Sequence, residues 1–485
     1  MTITYPMGAP ARNSEHWNQI DWHQCRREVR KLQVRIVKAV QEGRWHKVKS
    51  LQWLLTHSFS AKALAVKRVT ENQGKRTAGV DKATWLTPNA KWSGILSLSR
   101  CGYRALPLRR VYIPKSNGKL RPLGIPTMRD RAMQALYLQA LEPVSETTAD
   151  PHSYGFRPKR STADAIEQCF RSLSQKFSAR WVLEADIQGC FDNFSHDWLL
   201  ANIPTDKAIL ATWLKAGFME SHILSPTMAG TPQGGIISPT VATMALDGLQ
   251  ARLSQQLANT EGKRNRLHMN FVRYADDFIV TGHSKEFLEQ EVKPCIEAFL
   301  AERGLTLSAE KTRVTAIEEG FDFLGVNLRR FGDKLLTRPA QKSIQSLCSK
   351  LRKIVKDNLT AKQYSLIQQL NPVIRGWTQY HRHGVAKKIF TDVDTYLWQL
   401  LWRWATRRHP HKRARWIKDK YFKCIAHRHW VFATTENTGS TELVALVKAR
   451  DTKIRRHLKI RCAANPFDPE WNDYFERRKD RRFRD

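Results

Sequence analysis

Paired cysteines are what this sequence most plainly lacks. The eight cysteines stand at positions 25, 101, 169, 190, 295, 348, 424 and 462, and the closest two are 21 residues apart, so there is no CxxC pair. Zinc fingers and ribbons build their sites from such pairs, and that class is excluded. The same scatter argues against a secreted disulfide framework and fits a reducing compartment. Long apolar runs are missing too: none approaches the roughly 18 residues that mark a membrane span. Met1–Ala11 has no basic stretch followed by an apolar one, so no signal peptide is expected. Acid is scarce: 45 Asp+Glu stand against 81 Lys+Arg, a formal net charge of +36.

What is present answers those absences. Apolar residues make up 41% of the 485, enough for substantial cores, and the length suggests three or four domains. A positive excess of that size must be solvated or must face a polyanion. Sixteen Trp and eleven Tyr accompany it, and flat rings among basic residues suit nucleic acid better than a membrane surface. A soluble, intracellular, polyanion-binding protein is expected.

From Trp17 to about Val69 the spacing is helical, with Val29, Leu32, Ile36 and Val40 striping one helix and Trp45, Val48, Leu51, Leu54 and Leu55 a second. Asn72–Asp81 reads as a loop. Arg109–Ile113 and Leu120–Ile125 are β-prone runs around Asn117-Gly118, a strong hairpin signal. From about Trp181 to Val326 short strands alternate with helices, which makes an α+β or α/β core. Beyond Pro339 strands are expected to stop, with helices continuing to about Ala405. No repeat of 20–50 residues is visible.

Two apolar runs end in acid. Trp181–Ile187 reads as a buried strand that reaches Asp186, and Phe271–Val280 as two short strands with Asp276 and Asp277 at their tip. An aspartate pair at a hairpin is ordinary turn chemistry when it stands alone. Here adjacent carboxylates would raise each other's pKa unless a cation sits between them, and Asp186 ends a second strand that could lie alongside. Three hard oxygen donors, without a His or Cys ligand set, suit Mg²⁺. Two such ions about 3.5–4 Å apart serve in-line phosphoryl displacement.

Tyr274-Ala275-Asp276-Asp277 resembles the YxDD box of reverse transcriptases. It stands in order with Arg110–Arg131 (RVYIPKSNGKLRPLGIPTMRDR), Ser153–Pro158 (SYGFRP), Asp186–Phe194 (DIQGCFDNF), Gly230–Pro239 (GTPQGGIISP), Gly304–Thr312 (GLTLSAEKT) and Phe321–Gly325 (FDFLG). With these seven blocks, Ala78–Asp81 upstream, and Leu370–Pro372 and Arg375–Trp377 downstream, nearly the whole chain resembles a group II intron-encoded reverse transcriptase/maturase.

The resemblance implies a right-hand polymerase of α+β class. Its parts are a helical, RNA-binding N-terminal extension (12–95), fingers and palm (96–338), a helical thumb or maturase domain X (339–435) and a small basic DNA-binding segment (436–485). Asp186 and Asp276 become the ligands of two Mg²⁺ ions, helped by the Ile187 carbonyl, with Asp277 in a secondary place. Phe191 matches the aromatic gate that excludes a ribose 2′-OH. Lys115 and Arg121 match triphosphate contacts, as a point charge and a guanidinium fork. Gln233 matches a residue lining the nucleotide pocket, and Lys311 a lysine beside the active site. Arg157 is implied to guide template or to hold the fold. Between Trp402 and Trp430, ten Lys/Arg stand against one Asp, with Arg407, Arg408, Lys412, Arg413 and Arg415 the expected nucleic-acid contacts. Trp402 and Trp404 fit helix core equally well.

The implied function is RNA-directed DNA synthesis on intron RNA, together with binding of that RNA to assist splicing and mobility. The partners would be the intron RNA, an RNA template with a DNA primer, target DNA and dNTPs, without a membrane; a dimer is left open. The implied location is the bacterial cytoplasm, in association with the nucleoid, an organelle being the other compartment left open. Many relatives continue into an HNH endonuclease with paired CxxC ligands; none is expected here, so another source of primer is implied. A splicing-only maturase and a retron or diversity-generating reverse transcriptase are the alternatives. The presence of all three aspartates disfavours the first, and QGGIISP with the long basic thumb disfavours the others.

Overall fold

The computed structural model describes residues 11–484 apart from 115–117, 119, 221–222, 233 and 436–442. The chain forms two compact units. One comprises the residues up to Ser161, Leu183–Val314 and the segment from Ile460; the other comprises Thr162–Val182 and Thr315–Lys459. Among the described residues no helix is long and apolar enough to cross a membrane.

In the first unit, helices Trp22–Gln41, Trp45–His57 and Phe59–Glu71 pack on the long helix Met128–Thr148. Three of these four helices start on side-chain caps. Asp21 accepts from the His23 and Gln24 amides at 2.8 and 2.9 Å, Ser58 from Ala61, and Thr127 from Asp130. The central helix is buried on nearly all sides, its charged residues Asp130, Arg131 and Glu146 included, each held by a hydrogen-bond partner. Val29, Ile36, Val40, Val48, Leu51 and Leu55 point inward as expected. Trp45 and Leu54 do not: both are exposed, because Val48, Leu51 and Leu55 alone make the inward stripe of the second helix.

Strands β1 (Leu108–Pro114) and β2 (Leu120–Ile125) form the expected hairpin, with Pro114 opposite Leu120. With β3 (Trp181–Asp186), β4 (Phe218–Glu220) and β5 (Ile223–Ser225) placed along the chain, one sheet runs β2-β1-β4-β5. A second sheet has the order β6-β7-β3-β8, where β6 is Asn270–Tyr274, β7 Asp277–Gly282 and β8 Arg313–Ala316. This second sheet carries the aspartates.

In the second unit, β9 (Phe321–Phe323), β10 (Val326–Phe331) and β11 (Lys334–Pro339) form an antiparallel sheet. Helices Gln341–Asp357, Gln363–His381, Lys387–Arg408 and Ala414–Tyr421 share a core that includes Leu351, Leu366, Leu370, Phe390, Leu397 and Trp404. Strands do not stop at Pro339. β12 (Phe422–Ile425), β13 (Arg428–Thr434) and β14 (Val444–Ala445) make a further sheet. The hairpin between β12 and β13 turns on Ala426 and His427, both at positive φ, where the usual signal is Asn-Gly. The segment assigned to 436–485 is also divided: its residues from Ile460 belong to the first unit.

Candidate active site

Asp186 ends β3, and Asp276 lies in the two-residue turn between β6 and β7, where Tyr274 pairs with Asp277. The first residue of that turn, Ala275, adopts φ +57, a place where glycine is most at ease. Two other sequence blocks hold the turn. The SYGFRP loop runs beside β6: Arg273 donates its amide to the His152 carbonyl at 3.0 Å, and Tyr154 donates to the Arg273 carbonyl at 2.9 Å. The Arg273 side chain is fully buried, ion-paired with Asp247 and directed at the Ala275 carbonyl 3.5 Å away.

The GLTLSAEKT block closes on β3. Gln188 donates to the Thr306 carbonyl at 2.9 Å and Ser308 to the Asp186 carbonyl at 2.8 Å. These two bonds make the bridge of Ile187 to Leu307 without using the Ile187 carbonyl. The same block aims Lys311 Nζ at Asp186 Oδ2, 2.6 Å away. Burial, reinforced by Asp186, pushes the Asp276 carboxyl up, while Lys311 and Arg121 pull it down. Desolvation in this cleft, the neighbouring Asp276 and a hydrogen bond with Asp186 push Asp277 up to about 7. The bond to Asp186 raises the Lys311 ammonium. This is a concentration of negative charge faced by one ammonium group.

Phe191 stands beside Asp276 in a narrow cleft also lined by Ala242, Leu246 and Ala275. Phe156 meets its ring edge-on at 6.1 Å. The GTPQGG loop is tied to the same place: Gly230 donates to the Phe194 carbonyl at 2.8 Å and Thr231 to the Phe191 carbonyl at 2.6 Å. A methyl group on Gly230 would come within 2.5 Å of the Phe191 carbonyl oxygen, so only glycine permits this approach.

The structure thus gathers Asp186, Ile187, Asp276, Asp277, Lys311 and Phe191, with Arg121 near enough to act on Asp276. Lys115 and Gln233 lie outside the described residues. Arg157 takes the second of the two roles implied for it, holding the fold. It is buried, grips both Glu146 oxygens at 2.8 and 3.1 Å, and donates to the Asp150 and Ser153 carbonyls, which uses four of its five N–H groups within the fold. Arg408 is also engaged, donating to the Leu359 and Ala361 carbonyls, whereas Arg407, Lys412, Arg413 and Arg415 are exposed. Asp277 hydrogen-bonds Asp186 and faces Asp276, although among the described residues no three His, Cys, Asp or Glu side chains stand as a ready-made metal set. The hard-oxygen donors are Asp186 and Asp276 with a main-chain carbonyl, a set that fits a divalent cation completed by water and phosphate oxygens. Sequence reasoning passed over Arg273, Phe156 and Glu146. A lone arginine inside the apolar run Phe271–Val280 was the available signal, since a buried charge demands a buried partner.

An α+β sheet presenting two aspartates beside a basic hairpin and a glycine-bounded aromatic cleft defines a nucleic-acid polymerase palm of the reverse transcriptase class. Residues 113–328 match the family model described as reverse transcriptase (RNA-dependent DNA polymerase). Residues 17–98 match the N-terminal domain of reverse transcriptase, and 344–422 the maturase-specific domain of group II introns. Protein YkfC of Escherichia coli is 32% identical, over 55% of this chain and 80% of that protein. The group II intron-encoded protein LtrA of Lactococcus lactis is 31% identical over 55% of this chain and 54% of its own length, so about half of LtrA is spanned. The chain belongs to the group II intron-encoded reverse transcriptase/maturase family, whose polymerases generally use a divalent metal. Among solved structures, a telomerase from Candida albicans is similar at 12% identity and a TM-score of 0.38, over 65% of this chain and 64% of that one, too slight a likeness to carry weight.

Proposed function

We propose that this protein copies intron RNA into DNA from a primer 3′-OH, with two Mg²⁺ ions held by Asp186 and Asp276, and binds the same RNA to assist its splicing. The observation that carries the reading is the convergence of Asp186, Asp276 and Lys311 at the tips of adjoining strands, next to Phe191. Bound Mg²⁺ supplies activation of the 3′-OH and neutralises charge on the reacting phosphate and the pyrophosphate. Asp186 and Asp276 hold hard cations by their carboxylates, with the Ile187 carbonyl as a further donor. Lys311 balances Asp186 and releases it when a cation arrives. Arg121, on the second strand of the fingers hairpin, takes the triphosphate together with Lys115, and Gln233 serves the nucleotide. Phe191 presents a ring with no hydrogen-bond acceptor where a 2′-OH would project, which favours dNTPs.

The N-terminal helices and the cationic residues Arg407, Lys412, Arg413 and Arg415 bind intron RNA through phosphates, and the segment from about 436 binds target DNA. Such partners would meet in a bacterial cytoplasm at the nucleoid. The test is extension of a DNA primer on an RNA template with Mg²⁺ and dNTPs, wild type beside Asp276→Asn. Extension by the wild type alone is the expected result. A folded wild type that binds RNA but extends nothing would overturn the polymerase reading and favour a splicing cofactor.

A further inference from the structure

Trp398 and Trp402, one turn apart on the helix Lys387–Arg408, hold their rings parallel to within 7°, with centroids 6.0 Å apart. Trp430 of β13 meets both edge-on, at 5.8 and 5.5 Å. Phe422 packs against Trp402 and Trp430 at 5.9 and 5.7 Å. Trp398 and Trp430 remain 36% and 39% exposed. Trp404 on the same helix behaves differently: it is buried, and its indole N–H donates to the Asn358 carbonyl at 2.9 Å. The trio thus edges the core, Trp402 packing against it, while Trp398 and Trp430 keep ring surface open to solvent.

Two further observations mark the trio. Trp430 sits at φ +63, a left-handed conformation that a bulky side chain rarely adopts and that is retained where something depends on it. Lys418 Nζ stands 5.3 Å from the Trp430 ring centre, and a second exposed ring, Trp416, lies between Lys412 at 5.5 Å and Lys420 at 5.2 Å. The helix Ala414–Tyr421 thus carries ring-and-ammonium pairs toward two sides, in a stretch with ten Lys/Arg and one Asp between Trp402 and Trp430.

We propose that Trp398, Trp402 and Trp430, with Lys418, form a stacking platform for unpaired bases of RNA; this rests on the reading that the protein binds RNA. Every base offers a π-face, and a positive charge beside the ring tracks the phosphate. A duplex hides its base faces in the stack, so an unpaired strand is the fitting ligand. A lipid surface fits less well. Interfacial tryptophans work by entering the headgroup layer, whereas these rings lie packed on one another with the lysine tip resting over a ring.

The test uses the full chain and two probes, a short unstructured polyuridylate and an RNA duplex of the same length. Trp398→Ala should lower single-strand affinity roughly 10-fold or more, with duplex affinity unchanged. Trp398→Phe should restore most of it, which a loss caused by misfolding would not. Lys418→Gln should make the single-strand salt dependence shallower by about 0.7. Unchanged single-strand affinity in Trp398→Ala, or equal loss for both probes, overturns the platform. So does loss of binding to phosphatidylserine vesicles without loss of RNA binding. Primer extension by the wild type, read in the same preparation, tests the polymerase reading separately.

Discussion

Gly155 lies so close to Ala275 that a methyl group on it would stand 2.2 Å from the Ala275 amide nitrogen. The SYGFRP and YADD blocks, 120 positions apart, are therefore one structural element. Gly155 is the contact at which the first fixes the turn of the second. Because the obstruction is backbone on both sides, it cannot be relieved by a rotamer change.

Gly155→Ala should consequently displace the Ala275–Asp276 turn. The expected outcome is a loss of stability of about 1–3 kcal/mol and a larger fractional loss of primer extension than of RNA binding. Denaturant midpoints beside extension rates check this. Full activity at wild-type stability would mean that the loops separate without cost.

Lys311 and Mg²⁺ compete for Asp186 in the proposed mechanism. Removing the ammonium group leaves the carboxylates more negative, which strengthens cation binding by Coulomb attraction. Lys311→Ala should reach half-maximal extension at a lower Mg²⁺ concentration than wild type while its maximal rate falls. A Mg²⁺ titration of extension rate reads both, and a requirement for more Mg²⁺ would make Lys311 a support of the metal site instead.

Phe191 is packed by Phe156 at 6.1 Å and tied through its carbonyl to Thr231, so its ring is held in place. Phe191→Ala should admit ribonucleotides and raise the rNTP/dNTP incorporation ratio by at least 10-fold, an interaction worth about 1.4 kcal/mol. Competitive incorporation on one template measures it. An unchanged ratio would make this ring core packing only.

His381 is buried beside Ser343, whose hydroxyl lies 3.0 Å from His381 Nε2 and accepts from Trp377 Nε1 at 3.1 Å. Burial lowers the imidazole to about 4 from 6.5. Between those values the unfolded chain binds a proton that the folded chain refuses. Stability therefore falls as pH drops through the window, by up to on the order of 3 kcal/mol for this group. Melting curves of wild type and His381→Gln from pH 7 to pH 4 should converge as the pH falls, because the variant lacks this penalty. Parallel curves would show that His381 is protonated in the folded protein.

The sequence carried whatever is local in cause. Helical periodicity placed Val29, Ile36 and Val40 on a buried face, and β-prone runs around Asn117-Gly118 located the first hairpin. The order of seven short blocks pointed to the family. Where local signal failed, a tertiary constraint had replaced it: Ala426 and His427 make a turn that Asn-Gly usually makes, so β12 and β13 went unforeseen. Trp402 and Trp404 are indistinguishable by spacing, yet Trp404 is buried in the core and Trp402 is half-buried at its edge, in contact with exposed rings.

Chain order alone supplied the inventory of the site: carboxylates ending apolar strands, a basic hairpin, glycines beside an aromatic, and an excess of positive charge. Which of these groups act on one another was settled by folding. It set Lys311 against Asp186, closed Gly155 on Ala275, and withdrew Arg157 from the surface to pair with Glu146. The physical reason is that charge and shape at a site are sums over neighbours brought together by burial, and residues far apart in the chain become neighbours only when the core is packed.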